Sequence, residues 1–550
     1  MSFIVKKKIN GKEYYYLQKS LNENKKIKTK TIAYLGKDFE KAKIKAEEIK
    51  MLEKNNSYKI NTSNITIEEL ANFCKRKGFV YPSGEIYGGL GGFWDFGHLG
   101  TELANNIKKQ WYIYHVQKRD DVVLIDGSII TNPKVWEASE HVSNFIDISV
   151  ECKKCKHKSK IDKHELKTAK CDKCGADYDS KGEFNPMFGT QVGPIKENST
   201  MAYLRPETAQ LIFADFKLIN ENARMGLPFG IAQIGKAFRN EISPREFLFR
   251  AREFEQMELE YFIEPNKACP YMEEIKKVII KIYDEKSQNE KKEPVLMNLY
   301  EAYIKKIIKT DWHAYWIGKE FEWFISLGAN PQNFRARQHI SNEKSHYAVD
   351  TWDLEYNFPM GWRELQGFAN RGDFDLKQHQ KYSGISMEIT SSEGKKFIPN
   401  VVCEPSLGVG RAIIVFLLES YFLNKEDNTL VLRLNPKLSP IKVAVFPIIK
   451  KIEYENIAER ILKDLREEFN ADYDKSGSIG RRYARNDEIG TPYCITIDDE
   501  SLKNEDVTIR ERDTKKQVRV KIKKLRNILR KLINQEIKFS KSGRLIKQMR

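Results

Sequence analysis

The sequence predicts a multidomain α+β protein built around an antiparallel sheet, and three observations predict it. The segment from Phe238 to Phe262 alternates like two strands around a polar turn while carrying four arginines and six glutamates among aromatics. Charge of both signs is therefore aimed inward. Residues 2 to 35 alternate apolar and polar about Asn10-Gly11, a two-residue hairpin turn. Beyond Pro436, strands alternate with helices, the pattern of a small α/β domain. At 550 residues the chain has room for three or four domains and a sizeable core.

The N-terminal β-rich module, residues 1–60, places strands at Ser2 to Lys8, Glu13 to Gln18 and Lys26 to Leu35. Gly36 closes it, a charged helix covers Phe39 to Lys54, and Asn55 to Asn64 is a polar linker. Tyr14, Tyr15 and Tyr16 among lysines suit either a nucleic-acid contact or a solvated strand face. The main body spans residues 61–435 and opens with a helix over Ile67 to Lys77. The run Gly88-Gly89-Leu90-Gly91-Gly92 lacks the flanking strand, helix and spacing of a dinucleotide fingerprint, and no Walker A sequence occurs. Phosphate binding falls to the arginines. In the last unit, residues 436–550, strands are expected at Ile441 to Pro447 and Pro492 to Ile497, and a helix on Ile457, Ile461, Leu462, Leu465 and Phe469. A hairpin of Val507 to Arg512 and Gln517 to Ile522, with a basic helix from Lys523 to Leu532, completes it.

Cys152-x2-Cys155 and Cys171-x2-Cys174, fifteen residues apart within an insertion at 151–180, have the spacing of a zinc ribbon. Four thiolates close a tetrahedral site, so the expected Zn2+ is structural. His157 and His164 are surplus to it, and Cys74, Cys269, Cys403 and Cys494 have no partner spacing. A balance of 94 basic against 77 acidic residues leaves +17, which favours a polyanionic partner, nucleic acid before membrane. No apolar run is long enough to span a bilayer, and a cytoplasmic location is expected.

Arginine suits a polyphosphate through its two parallel charge-assisted hydrogen bonds, and a neighbouring carboxylate can hold an ammonium or a base edge. Phe238-Arg239-Asn240-Glu241, followed by Phe249-Arg250-Ala251-Arg252-Glu253-Phe254, resembles motif 2 of the class II aminoacyl-tRNA synthetases. Leu124 to Ser139 resembles motif 1, and Glu404-Pro405-Ser406-Leu407-Gly408-Val409-Gly410-Arg411 resembles motif 3. With Leu204-Arg205-Pro206-Glu207-Thr208-Ala209-Gln210 between them, the pattern is most similar to the single-chain, homodimeric glycyl-tRNA synthetase family. The resemblance covers roughly residues 64 to 530.

The resemblance implies a class II antiparallel-sheet catalytic domain with the zinc insertion and a C-terminal α/β anticodon-binding domain. Its activity would be ATP-dependent activation of glycine and transfer to tRNA-Gly by a homodimer joined through motif 1. It implies Arg239, Glu241 and Arg411 as catalytic residues. ATP would be held by these together with Asn240, Phe249, Arg250, Ala251, Arg252, Glu253, Phe254, Glu364, Leu365, Gly408, Val409 and Gly410. Glu364 would also hold Mg2+ with the phosphates. Glycine would meet Lys134, Glu207, Glu258, Glu404 and Ser406, with Phe254, Glu255, Gln256, Met257, Pro405, Leu407 and Gly408 around it. Because glycine has no side chain, such a site grips only ammonium and carboxylate and excludes a methyl by filling its volume. Lys134 is equally readable as a solvated or interface lysine. In the C-terminal domain Arg510, Arg512, Arg519 and Lys521 are expected to touch tRNA phosphates.

Two other readings stay open on the sequence: a class II enzyme for another small amino acid, and a synthetase-like tRNA-binding protein without activity. His98-Leu99-Gly100-Thr101 superficially resembles a signature of the class I enzymes, which use a Rossmann fold, but lacks its closing histidine. Lys538-Phe539-Ser540-Lys541-Ser542 resembles the other class I signature only superficially, with no domain expected after it. Asn342-Glu343-Lys344-Ser345-His346-Tyr347 departs from the smaller apolar residues usual in the family.

Overall fold

The structure, a computed structural model, describes residues 2–9, 11–23, 26–39, 42–43, 46, 65–161, 169–171, 173–194, 201–242, 244, 246–340, 343, 350–391, 393–424 and 428–546. The expected linker at 55–64 and all but Glu343 of the 342–347 segment lie outside them. So does most of the expected helix from Phe39 to Lys54; its described residues Phe39, Ala42, Lys43 and Ala46 are helical.

A twelve-stranded sheet organises the body. Its functional half runs from Thr351–Phe358 through Gly361–Ala369, Asn400–Gly408, Glu253–Ile263 and Phe229–Phe238 to an edge strand, Val122–Ile125. These pairs are antiparallel until the last, where Val122–Ile125 lies parallel to Phe229–Phe238. The central hairpin pairs Phe229 with Phe262 and Phe238 with Glu253. Its first strand thus ends where the charged segment begins, and the described residues between 239 and 252 belong to the long turn.

Strand periodicity gives this hairpin two different faces. Met257, Leu259 and Tyr261 enter the main core, together with Cys403 and Leu407 of the neighbouring strand. Helices His98–Tyr112, Asp311–Ser326 and Val409–Ser420 supply much of that core. Gln256, Glu258 and Glu260 face the other way and are nonetheless buried. Helix Ala209–Ala223 packs beside them, with Phe213 and Phe216 against Phe229 and Phe262.

The N-terminal module is not separate from this sheet. Strands Ser2–Ile9, Lys12–Glu23 and Lys26–Gly36 extend it through one parallel pairing of Ala33 with Leu296 in Val295–Asn298. Tyr15, Leu17, Ala33 and Leu35 pack with Ile279 and Leu296 of the body. The expected division at residue 60 therefore marks a change in sequence rhythm and not a gap in the core.

The C-terminal domain carries a second sheet, ordered Ala471–Tyr473, Val443–Pro447, Tyr493–Ile497, Asp506–Glu511, Gln517–Lys521 and Arg544–Leu545. Its first three strands are parallel and its last four are joined antiparallel. Helices Ile452–Arg466 and Ile522–Ile533 cover it as expected, and helix Ile479–Ile489 is an addition to the sequence reading. Leu434 and Leu438 belong to the main core, so the body extends past residue 435. Asn106 fastens this connector by donating to the carbonyls of Leu438 and Ser439.

Candidate active site

The long turn and the strand Asn400–Gly408 enclose a cleft of about 330 Å³. Arg239 and Glu241 line one side; Arg250, Ala251 and Phe254 follow along the turn, and Glu364, Leu365, Gly408, Gly410 and Arg411 close the far side. Three segments distant in sequence, motifs 2 and 3 and the strand Gly361–Ala369, are thus brought to one opening.

Arg239 is held before any ligand arrives. Its Nε donates to the Pro206 carbonyl at 2.9 Å, its guanidinium lies 5.5 Å from the Phe145 ring centroid and 5.6 Å from that of Phe254, and an NH2 group is 3.9 Å from Glu207. Arg411 stacks over Phe249 at 4.5 Å and pairs with Glu364 at 3.1 Å. That guanidinium holds the Glu364 carboxyl below the usual carboxylate range. Gly410 is required by space: a Cβ there would stand 2.9 Å from the Leu248 carbonyl oxygen of the turn. Motif 3 thereby approaches motif 2 backbone to backbone.

Beyond Gln256 and Ser406, whose side chains are bonded at 3.1 Å, the cleft meets a buried group of carboxylates. Glu258 accepts from the Thr208 amide at 3.1 Å and from its hydroxyl; Glu404 accepts from Arg371 at 2.9 Å. Arg371 also grips Asp375 through two nitrogens, at 2.7 and 2.9 Å, and Asp375 accepts from Gln210 at 3.0 Å. Oxygens of Glu258, Glu260 and Glu404 lie within 4.8 Å of one another.

So many carboxylates cannot all ionise together. Burial pushes Glu404 up to about 8 against the pull of Arg371, and burial with Glu207 nearby raises Glu258. Glu260 is also raised well above its ordinary value, by burial and then by Glu404 and Glu258. Burial works on Glu207 in the same direction, but His141 at 3.3 Å, Arg371 and Arg239 outweigh it and hold this carboxyl well below its ordinary value. Glu207 is thus held towards its ionised form, while burial and mutual repulsion oppose ionisation of Glu258, Glu260 and Glu404.

Several expected residues stand elsewhere. The Arg252 guanidinium donates to the Glu241 and Gly91 carbonyls at 3.0 and 2.8 Å, fixing the turn to the glycine-rich segment and facing no cleft. Glu253 pairs with Lys236 and Glu255 with Lys108, while the Asn240 amide donates to Pro186. Met257, Leu407 and Val409 are core residues, and Pro405 is buried in its strand. Lys134 lies in a separate hollow with Ile130, Glu137 and Tyr203. Strand alternation turns Met257 and Leu407 into the core, and local ion pairs engage Glu253 and Glu255. Arg371, Asp375 and His141 carry no local sequence pattern that marks them, whereas Thr208 lies in the Leu204–Gln210 segment before helix Ala209–Ala223.

The four cysteines converge. Sγ of Cys152 and Cys174 are 3.4 Å apart, those of Cys155 and Cys171 3.6 Å, and all four fall within 4.8 Å with no disulfide. Thiolates about 2.3 Å from a tetrahedral Zn2+ have this mutual spacing. His164 lies outside the described residues.

In the C-terminal domain the arginine expectation is overturned. Arg510 is buried and bidentate to Asp487 at 2.8 and 2.9 Å; Arg512 donates to the Gly490 and Leu434 carbonyls, both at 2.8 Å. Arg519 pairs with Asp498, Glu500 and Asp506, and Lys521 donates to Asn504. Arg510, Arg512 and Arg519 are buried and hold the domain together, whereas the side chain of Lys521 stays exposed.

An antiparallel sheet with an arginine-lined cleft between its motif 2 turn and its motif 3 helix defines a class II aminoacyl-tRNA synthetase. Comparison with known proteins agrees: residues 188–421 match the family described as tRNA synthetase class II core domain (G, H, P, S and T), and residues 442–532 match the anticodon binding domain. The chain belongs to the glycine–tRNA ligase family. It is 40% identical to the glycine–tRNA ligase of Treponema denticola over 83% of this chain and 94% of the relative. The Geobacillus thermodenitrificans enzyme is 42% identical over 85% and 98%, and that of Borreliella burgdorferi 39% over 87% and 100%. Among the described residues no helix is long and apolar enough to cross a membrane.

Proposed function

We propose that the chain charges tRNA-Gly with glycine in two steps. A glycine carboxylate oxygen attacks the α-phosphorus of ATP and expels pyrophosphate; the 3′-terminal hydroxyl of the tRNA then attacks the carbonyl of the glycyl-adenylate and expels AMP. The observation that carries this reading is the junction of an arginine-lined cleft with a buried carboxylate floor, which matches a triphosphate beside a small ammonium ion.

Arg239 neutralises charge developing on the α-phosphate, and its prior anchoring to Pro206, Phe145 and Phe254 means that little reorganisation accompanies the reaction. Glu241, Arg250 and Ala251 border the nucleotide, Phe254 offers a stacking face to adenine, and Arg411 closes the other side. Glu364, ionised beside Arg411, suits a hard cation, and Mg2+ held there with ATP would supply further neutralisation of the phosphates. Glu207 holds the substrate ammonium, with Glu258 and Glu404 able to ionise towards it as it enters. Side chains of Gln256 and Ser406 occupy the passage where a larger substrate would need room.

The four-cysteine site takes structural Zn2+, since four thiolates leave no open position. Exposed Leu124, Ile129 and Ile130 beside the edge strand support homodimerisation there. The enzyme would act in the cytoplasm. ATP–pyrophosphate exchange with each amino acid in turn tests the assignment: exchange is expected with glycine alone, and faster exchange with serine or alanine refutes it.

A further inference from the structure

The N-terminal strands carry a face that the reaction above does not use. Tyr14, Tyr16 and Tyr34 alternate with the buried Tyr15, Leu17, Ala33 and Leu35, so they share the opposite, solvent-facing side of the sheet. Their rings form a continuous group, Tyr16 to Tyr34 at 5.3 Å and Tyr14 to Tyr34 at 6.2 Å. A cation stands over each: Lys7 over Tyr16 at 5.2 Å, Lys37 over Tyr14 at 5.4 Å and Lys305 over Tyr34 at 4.9 Å. Lys305 belongs to the catalytic body, so the face crosses the junction between the module and the enzyme.

Charge selects the occupant. Residues 1–37 hold ten lysines against two glutamates, close to half of the net charge of the whole chain. A face of half-buried tyrosine rings bordered by exposed ammonium groups suits a ligand with flat π-systems spaced along a polyanion. An acidic peptide would satisfy the lysines and leave the three rings unused. Duplex RNA would present phosphates but no free base faces.

We propose that this face binds unpaired bases of RNA, and that its occupant during catalysis is a single-stranded stretch of the enzyme's own tRNA; the tRNA identity rests on the function proposed above. Bases stack on Tyr14, Tyr16 and Tyr34 while Lys7, Lys37 and Lys305 contact phosphates. The attachment is useful because the strand pairing to Val295–Asn298 makes the face an extension of the catalytic sheet.

The test measures binding of a tRNA-Gly transcript to the full-length protein as a function of salt. Tyr14→Ala/Tyr16→Ala/Tyr34→Ala is expected to weaken binding about tenfold or more, with Tyr→Phe at all three positions restoring it. Lys7→Ala/Lys37→Ala/Lys305→Ala, whose side chains bury no core, is expected to reduce the slope of log affinity against log salt by about two to three. Glycine-dependent pyrophosphate exchange needs no tRNA and should be unchanged in both variants, which also reports that they are folded. Unchanged transcript affinity and salt slope in the lysine variant overturn the proposal and leave the face to another partner. If the parent protein fails to exchange with glycine the functional assignment falls, while the transcript binding still decides this one.

Discussion

At the scale of single residues, the site works by keeping like charges from ionising together. Arg239 is the anchored cation facing the phosphate, and Arg239→Ala is expected to lower the exchange rate about a hundredfold or more, as when one preorganised donor is removed; a change under threefold in kcat means that the contact is misassigned. Glu404 gives a pH signature. Its folded carboxyl titrates at about 8 against an ordinary value of 4.5, so between these limits the folded state keeps a proton that the unfolded state has lost. The stability this contributes is complete below about pH 4.5 and disappears as pH rises through 8. Glu404→Gln, permanently neutral, should therefore raise Tm relative to the parent more at pH 8.5 than at pH 5, and a difference independent of pH contradicts the assignment. Arg239, Phe254 and Arg411 were legible because ordered motifs name them. Arg371 and His141 were not, since each acquires its role from carboxylates on distant elements and carries no local pattern.

At the scale of elements, the hairpin is fixed from beneath by a buried arginine. Arg205 donates to the Lys236 carbonyl at 2.6 Å and the Gly127 carbonyl at 2.7 Å, tying motif 1 to the first hairpin strand. It fits because Gly235 has no side chain; a Cβ there would stand 2.1 Å from the guanidinium. Gly235→Ala should cost about 1–3 kcal/mol of stability, read as a lower denaturant midpoint. Metal analysis should return about one zinc per chain, and Cys171→Ser should release it and loosen residues 147–184 to hydrogen exchange while adenylation partly survives. Period-two alternation made most of these strands readable. It could not say whether the C-terminal hairpin arginines face water or protein, because Asp487 and Asp498 reach them from a helix and a loop outside the hairpin.

For the whole molecule, activation and tRNA recognition should separate along the chain. Removing residues 442–550 is expected to raise the KM for tRNA strongly and leave glycine-dependent exchange largely intact, because the motifs end at Arg411 and the main core at Leu438. Unchanged charging by the shortened protein refutes the anticodon role of the C-terminal domain. The lost contacts include Arg512 to Leu434 and Lys77 to Glu488, so the comparison should be made on material that elutes as a single species. The C-terminal α/β domain was visible in the change of rhythm after Pro436. The fusion of the N-terminal strands to the catalytic sheet was not, since it depends on one pairing between residues more than 250 positions apart.

That fusion also decides what the two margins of the great sheet do in a crowded solution. Every open margin exposes unpaired amides and carbonyls that can template growth onto another chain. Here one margin, Ser2–Ile9, carries three consecutive lysines, Lys6, Lys7 and Lys8, and the other, Val122–Ile125, exposes Leu124. Stacking copies end to end would bring a cationic margin against its own kind or against an apolar one, and neither match is favourable. Fibrillar growth is thus resisted by the added strands themselves, and a chain whose three lysines were replaced by threonine should scatter light on heating before the parent does.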